Sequence, residues 1–226
     1  DSRCGFFIFS RLQSWQKKCT ILLYFYFSFV FWRGMQALRQ AIRDEGIGIG
    51  TDIVKVSGFL NHRLDTGLLF DMGRYIADHF RDQKPGLVMT VEASGIALAM
   101  TVAHALNNLP VLFAKKTLAS TQNTEAYTAH STSFTRGSSY VMRCDKALLS
   151  PGTRVLIVDD FLANGEAVRG LMDIVRQAGA ETVGVAIAIE KGFQQGGRML
   201  REQGVRLLSL SIVQEIRDGK ILLLDD

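Results

Sequence analysis

The chain has 226 residues, which is enough for one large α/β domain with a hydrophobic core. Its net charge of +4 lies entirely in residues 1–34, where five basic residues accompany a single aspartate, and the rest of the chain is neutral overall. A neutral body lacks the electrostatic footprint of nucleic-acid binding, so the composition argues against a nucleic-acid partner.

Residues 1–34 differ from the rest of the chain in composition. They contain both tryptophans, and the uncharged stretch ILLYFYFSFVFW at 21–32 is shorter than the ~20 residues of a membrane-spanning helix. No small-residue cleavage site follows that stretch, as it would in a signal peptide. We expect Met35 to be the native start and 1–34 to be upstream sequence translated in frame; the alternative is a membrane or export anchor.

Residues 35–226 are predicted to form one cytoplasmic domain without a membrane partner. Cys144 is the only cysteine in this part of the chain, so it cannot form a disulfide within the domain. No internal repeat and no linker divides these residues. Apolar spacing predicts helices at 35–46, 66–82, 96–107, from Gly165 to about 178, and near 197–203. It predicts strands at 87–91, 111–114, 140–144, 155–158, 183–191, 205–213 and 220–224, with 53–65 irregular or a short strand.

The order of these elements predicts the fold class. The strand–helix–strand unit at 87–114 is typical of parallel pairing, and 183–191 is apolar or small on both faces, as in a central parallel strand. We therefore predict an α/β fold with a parallel sheet flanked by helices. Residues 117–139 are rich in Ser and Thr without a sustained period, which predicts a long loop with a functional role or disorder.

The stretch VLIVDDFLANGEA at 155–167 is the most informative motif. Asp159 and Asp160 fall at the carboxyl end of a predicted strand, where open parallel sheets bind ligands. The small-residue turn at 163–167 leads into a helix N-terminus, whose unpaired N–H groups can hold a phosphate. Carboxylates repel phosphate, so the acids would address sugar hydroxyls or a hard cation on the same ligand. The pattern favours a sugar phosphate; the alternative is a plain turn in which Asp160 caps the helix.

This motif resembles the ribose-phosphate signature of the type I phosphoribosyltransferases, a hydrophobic strand followed by two acids and a small-residue turn. The common turn in that family is Ala-Thr-Gly, whereas this chain has Ala-Asn-Gly. The likeness extends from Met35 to near the C-terminus. The Asn form, together with KVSGFLNH, EASGIA, SFTRGSS and AIEKGFQ, favours xanthine as the substrate. The resemblance implies the family fold, with a small N-terminal hood, a mobile lid at 117–139 and a homodimer.

The resemblance also implies a reaction and a set of site residues. A ring nitrogen of the purine would attack the anomeric carbon of phosphoribosyl pyrophosphate, and pyrophosphate would leave. The catalytic residues would be Asp159 and Asp160, which hold the ribose hydroxyls directly or through water bound to Mg²⁺. Mg²⁺ would bridge pyrophosphate oxygens, with no direct protein ligand.

The other implied contacts fall in three groups. The turn residues that would bind phosphoribosyl pyrophosphate are Ala163, Asn164, Gly165, Glu166 and Ala167. The residues that would bind xanthine are Val54, Asn61 and Lys191, the lysine donating to the 6-oxo group, with Glu190 as its salt-bridge or structural neighbour. The candidates for pyrophosphate are Ser94, Gly95, Lys115 and Lys116, and the sequence does not choose between the two lysines.

Several alternatives stay open at this point. Two adjacent lysines usually lie at a solvated strand edge. EASG is equally typical of an ordinary strand–helix turn and of a pyrophosphate-binding turn. Cys144 is more typical of a core residue than of a nucleophile. The base could be adenine, guanine, hypoxanthine or orotate. A regulator that senses phosphoribosyl pyrophosphate through an added DNA-binding domain is disfavoured, because no helix-turn-helix precedes the motif.

Overall fold

A six-stranded sheet carries the fold in this computed structural model, which describes residues 34–116, 125–132 and 139–224. The described residues belong to one compact unit that begins at Gly34. The predictions made for residues 1–33, an upstream extension or an anchor, lie outside the described residues. In the part of the chain that is described, no helix is both long and apolar enough to cross a membrane.

The main sheet has the order β10-β9-β8-β7-β3-β4. Its strands are β3 (Leu87–Val91), β4 (Val111–Ala114), β7 (Arg154–Leu162), β8 (Glu181–Lys191), β9 (Leu207–Arg217) and β10 (Lys220–Leu223). Two small sheets pair β1 (Ile47–Ile49) with β2 (Ile53–Lys55) and β5 (Ala126–Thr132) with β6 (Ser139–Asp145). The helices are α1 (34–45), α2 (Thr66–Phe80), α3 (Gly95–Ala105), α4 (Glu166–Gln177) and α5 (Gly196–Glu202), and 3₁₀ turns lie at Arg81–Gln83 and Lys146–Leu148.

The predicted parallel sheet is confirmed, with one antiparallel strand at its edge. The pairs β3–β4, β3–β7, β7–β8 and β8–β9 are parallel, but β10 is antiparallel to β9, so the sheet is mixed. The two strands are joined by a two-residue turn, Asp218-Gly219, in which both residues have positive φ (52° and 75°). An Asp-Gly pair favours this hairpin geometry, whereas a parallel neighbour would have needed a longer crossover.

Helices on both faces explain the apolar character of the central strands. Along β7, Leu156 and Val158 belong to the core cluster that contains α2 and α3, while Val155 and Ile157 belong to the cluster that contains α4. Successive side chains of a strand point to opposite faces, so a strand covered on both sides is apolar at every position. This confirms the flanked sheet predicted from the sequence.

Residues 126–132, which we predicted to lie in a long loop, form β5. This strand pairs with β6 from Ala126↔Asp145 to Thr132↔Ser139. The antiparallel backbone ladder supplies the hydrogen bonds, so the segment needs no alternating apolar pattern of its own and gave no periodic signal. The rest of the predicted lid, at 117–124 and 133–138, lies outside the described residues.

Two phenylalanines of α2 provide a test of where the core lies. Phe80 is fully buried, with the Arg206 guanidinium 5.3 Å from its ring centroid, whereas Phe70 is 43% exposed. We expect Phe80→Ala to lower the free energy of unfolding by about 3–5 kcal/mol through cavity formation. Phe70→Ala, the matched control on the same helix, should cost about 1 kcal/mol or less. Urea unfolding followed by circular dichroism measures both; similar losses would contradict this assignment of the core.

Candidate functional site

Two adjacent buried carboxylates lie near the carboxyl end of β7. Asp159 and Asp160 are each 5% exposed. The strand continues to Leu162, because Asp159 and Phe161 still pair with β8, so it is longer than the predicted 155–158 and the acids lie inside it. On the other side of β7, β3 pairs through Met89↔Ile157 and ends two residues later. The acids are therefore at the edge where the parallel strands end, as the sequence predicted.

Asp160 is hydrogen-bonded to two of the site residues that the resemblance implies. Ser94 Oγ, in the turn after β3, donates to Asp160 Oδ1 at 3.0 Å, and Asn61 Nδ2 lies 3.5 Å from Oδ2. The backbone N–H of Asp160 donates to Asp159 Oδ1 at 3.0 Å. Segments that follow β2 and β3 thus converge on the acids of β7.

Burial makes the charge on Asp159 unfavourable. Removal from water is the main cause that raises the pKa of Asp159 well above its ordinary value, and the negative charge of Asp160 adds to it. The positive charge of Lys116 opposes this rise only in part. Hydrogen bonds from hydroxyl groups, or a nearby cation, would stabilise a carboxylate held in this way. The pair is therefore suited to a ligand that brings such groups.

The turn after β7 forms part of the wall of a cavity of about 200 Å³, and the two acids line the same cavity. All five residues of the predicted phosphate-binding turn line it, from Ala163 to Ala167. Gly165 precedes α4 with φ of +80°, a conformation that a side chain would strain. No side chain among the described residues caps the first turn of α4, so its backbone N–H groups can receive an anion.

The predicted pyrophosphate residues are not all at this cavity. Ser94 and Lys116 line it, whereas Lys115 and Gly95 are absent from its wall. The backbone of Lys115 pairs with Arg143, and Gly95 begins α3. The Lys116 backbone N–H donates to Glu92 Oε1 at 2.6 Å, and its ammonium lies 5.1 Å from the Tyr140 ring centroid. The geometry favours Lys116 where the sequence left the choice open.

A second cavity, of about 400 Å³, contains the three predicted base-binding residues. Val54, Asn61 and Lys191 all line it. Lys191 Nζ donates to the carbonyl oxygen of Asp52 at 2.6 Å, and burial lowers the pKa of this lysine. The residues shared with the first cavity are Ser94, Asp160, Phe161 and Ala163. The two cavities are therefore adjacent and meet at the acids.

Of the two roles expected for Glu190, a salt bridge with Lys191 or a structural neighbour, the structure supports the second. Adjacent residues of a strand face opposite sides, and the Glu190 carboxylate is bound instead by Arg201 and Ser209. Cys144 is buried in the core, and burial, with Asp145, raises the pKa of its thiol to about 11. It is accordingly a structural residue rather than a nucleophile.

The residues of the two cavity walls that sequence reasoning did not assign to the site include Glu92, Tyr140, Phe161 and Asp52. Phe161 follows the acidic pair directly, so its place inside the motif was an available signal. Glu92 begins the EASG stretch that also contains Ser94, so its position was a second available signal. Tyr140 and Asp52 reach the site only through β-strand register and hairpin geometry, which leave no local pattern in the sequence.

The chain matches a known protein family and curated relatives over most of its length. Residues 64–199 match the phosphoribosyl transferase domain family. The chain is 50% identical to the xanthine phosphoribosyltransferase of Heliobacterium modesticaldum over 83% of this chain and 99% of that protein. It is 45% identical to the xanthine phosphoribosyltransferase of Laribacter hongkongensis, over 83% of this chain and 98% of that protein.

Solved structures show the same fold at lower sequence identity. The adenine phosphoribosyltransferase of Rhodothermus marinus superposes with a TM-score of 0.62 at 22% identity, over 79% of this chain and 97% of that one. The adenine phosphoribosyltransferase of Thermoanaerobacter pseudethanolicus gives a TM-score of 0.57 at 22% identity, over 66% of this chain and 81% of that one. At this identity the likeness concerns the fold alone.

The raised pKa of Asp159 predicts how stability depends on pH. The folded protein binds this proton more tightly than the unfolded chain does, so its stabilising effect is complete below the ordinary carboxyl pKa of 3.8 and is lost as the pH rises through the folded pKa. Asp159→Asn should therefore match the parent near pH 4 and become more stable toward pH 7, by about 1–2 kcal/mol. Urea unfolding with a chelator and no substrate measures this difference.

The matched control is Asp173→Asn on the surface of α4. A hydrogen bond from Arg176 lowers the pKa of Asp173, so its ionised form contributes stability above the ordinary carboxyl value, and that contribution is lost as the pH falls. This variant should lose a little stability at pH 7. A stability difference for Asp159→Asn that is the same at pH 4 and pH 7 would contradict the buried-charge argument.

Proposed function

The chain belongs to the phosphoribosyltransferase family, and we propose that it converts xanthine and phosphoribosyl pyrophosphate to xanthosine 5′-monophosphate and pyrophosphate. It is an enzyme of the glycosyltransferase class, and its curated relatives at 42–50% identity are xanthine phosphoribosyltransferases. The observation that carries the proposal is the meeting of two cavities at Asp160, one walled by the turn at 163–167 and the other by Lys191 and Asn61.

The first cavity would hold the phosphorylated sugar. Its turn presents the N–H groups of the α4 N-terminus to the 5′-phosphate, while Asp159 and Asp160 accept hydrogen bonds from the ribose hydroxyls. As the bond from the anomeric carbon to pyrophosphate breaks, positive charge develops on the ribose. Two carboxylates fixed in a site of low dielectric stabilise that charge more in the transition state than in the ground state.

The second cavity would hold the base against the anomeric carbon. The ammonium of Lys191 donates to the 6-oxo group of xanthine, and Val54 packs against the ring. Asn61, which lies within reach of Asp160, faces both the base and the sugar. The adjoining cavities support a pose in which a ring nitrogen would lie in line with the leaving pyrophosphate, and the pyrophosphate would lie toward Ser94 and Lys116.

The acidic pair also fits Mg²⁺ delivered with the diphosphate. Among the described residues no group of three or more potential ligands surrounds a single point, but Mg²⁺ commonly uses one or two carboxylates, substrate phosphates and water. The raised pKa of Asp159 marks a site that a cation would relieve. When bound, Mg²⁺ would neutralise charge on the leaving pyrophosphate. Asp159 and Asp160 would hold water or hydroxyls of that assembly.

The remaining proposals concern the chain as a whole. We propose that 35–226 form the transferase domain, that 1–34 are an addition outside it, and that the enzyme acts in the cytoplasm as a homodimer. The family match within 64–199 and the unit that begins at Gly34 support the boundary.

A direct assay tests the reaction. The purified protein is incubated with Mg²⁺, phosphoribosyl pyrophosphate and one base at a time: xanthine, guanine, hypoxanthine, adenine or orotate. We expect the nucleotide of xanthine, detected by chromatography and mass spectrometry. Nucleotide from adenine or orotate but not from xanthine would show that the base is wrongly assigned while the sugar site is right.

Asp160→Asn tests the acids directly. The variant keeps the shape and one acceptor oxygen but removes the negative charge beside the anomeric carbon. We expect kcat to fall on the order of 10²-fold, typical of one transition-state electrostatic contact. Steady-state kinetics at saturating substrates measure this, with Asp173→Asn as the control of unchanged activity. Near-normal turnover would remove the acids from the mechanism.

Lys191→Met tests the base site separately from the sugar site. The change keeps the apolar stem and removes the ammonium, so the KM for xanthine should rise about 10–100-fold, as for loss of a hydrogen bond to a charged donor. The KM for phosphoribosyl pyrophosphate should stay within about threefold. Lys55→Met, on the exposed face of β2, is the matched control. Equal rises in both KM values would argue against a base-specific role.

A further inference from the structure

An ion pair outside the two site cavities lies at the end of β8. Glu190 is 3% exposed, and its two carboxylate oxygens accept from Nη1 and Nη2 of Arg201, each at 2.7 Å. Ser209 of β9 donates a further hydrogen bond to the same carboxylate. This two-pronged contact fixes α5, which carries Arg201, against the central strand. Neither Glu190 nor Arg201 is among the residues that line the two site cavities.

The first turn of α5 is in direct backbone contact with the turn after β7. The N–H of Gly196 donates to the carbonyl of Ala163 at 3.0 Å. A Cβ on Gly196 would lie 2.4 Å from the Ala163 oxygen and 2.6 Å from the Gly165 nitrogen. The helix start and the loop that walls the first cavity therefore touch without any side chain between them.

The same helix start is also pressed against the ion pair. A Cβ on Gly197 would lie 1.9 Å from Oε1 of Glu190 and 2.7 Å from Nη1 of Arg201. The two glycines thus occupy a narrow space with the buried carboxylate on one side and the loop on the other. A shift of the carboxylate or of its arginine would displace the loop as well, because the close-packed backbones between them leave no space for the movement.

From these contacts we infer that Glu190 and Arg201 are positioning residues, which hold the loop at 163–167 in its phosphate-binding shape through the first turn of α5. The inference rests on the proposed role of that loop. Lys191 follows Glu190 directly, but it faces the other side of β8 and is held by Asp52. The ion pair should therefore affect binding of the sugar phosphate and leave binding of the base nearly unchanged.

The test uses Arg201→Lys in the full chain. Lysine keeps the positive charge but cannot reproduce the planar, two-pronged contact with the buried carboxylate. We expect about tenfold weaker binding of ribose 5-phosphate by calorimetry and a similar rise in the KM for phosphoribosyl pyrophosphate, since small misplacements of binding groups have effects of this size. The KM for xanthine should change less than about twofold. Arg201→Ala should show the same split more strongly.

The matched control is Arg154→Lys. Arg154 Nη1 donates to Glu181 Oε2 at 2.6 Å, and this ion pair joins the first residues of β7 and β8, at the opposite end of these strands from the loop at 163–167. Both affinities should be unchanged in this variant. If Arg201→Lys does not fold, Glu190→Gln, which preserves side-chain shape and can still accept from Ser209, is measured in its place.

The outcomes separate the inference from the proposed function. If the parent protein binds ribose 5-phosphate and the variant binds it equally well, the positioning role is overturned. A loss of the same size for xanthine and for the sugar phosphate would also overturn it, because that is the result of general destabilisation. If the parent protein does not bind ribose 5-phosphate at all, the assigned role of the loop fails, and the inference fails with it.

Discussion

The removal of two neighbouring carboxylates from water is the constraint on which the site depends. Asp159 and Asp160 are almost fully buried, and among the described residues their hydrogen-bond donors are Ser94, Asn61 and one backbone N–H. The burial of these carboxylates lowers the free energy of unfolding, and the packing of the strands around them offsets this loss. In the proposed complex, a hydroxylated sugar with its cation would provide the missing partners, so the arrangement that weakens the free protein would be the one that binds the substrate.

The sheet explains why a small set of residues can serve two ligands. The strands β3, β7 and β8 run parallel and end at one edge, so the turns that follow them lie side by side. In the proposed function, one turn would offer backbone N–H groups to a phosphate, and the end of β8 would offer Lys191 to a base. Asp160 lies at the junction. The chemistry of the two halves differs because one half uses backbone groups and the other uses side chains.

The local parts of this fold could be predicted from the sequence, and the non-local parts could not. The strand 87–91 has the predicted bounds, and the helix after Gly165 begins one residue later than predicted, because apolar spacing and turn residues act over a few positions. The extension of β7 to Leu162 depends on pairing with β8. The strand β5 and the antiparallel edge likewise depend on partners distant in sequence. Strand alternation turns Glu190 away from Lys191 and leaves it as a structural neighbour, but its partner Arg201 lies on another element and left no local signal.

The hydrogen bond from Lys191 to the Asp52 carbonyl has a consequence for how bases are told apart. An ammonium has three N–H groups, so one lysine can hold the backbone of the N-terminal hairpin and an oxygen of the base together. In the proposed complex, the bound ring would then form a bridge between that hairpin and the central strand. The hairpin is anchored at its other side, where Gly48 N–H donates to the Gly219 carbonyl at 3.0 Å. Insertions or deletions near residues 50–52 would change the reach of the ammonium, and base preference could diverge among relatives while the pentose end of the pocket stayed the same.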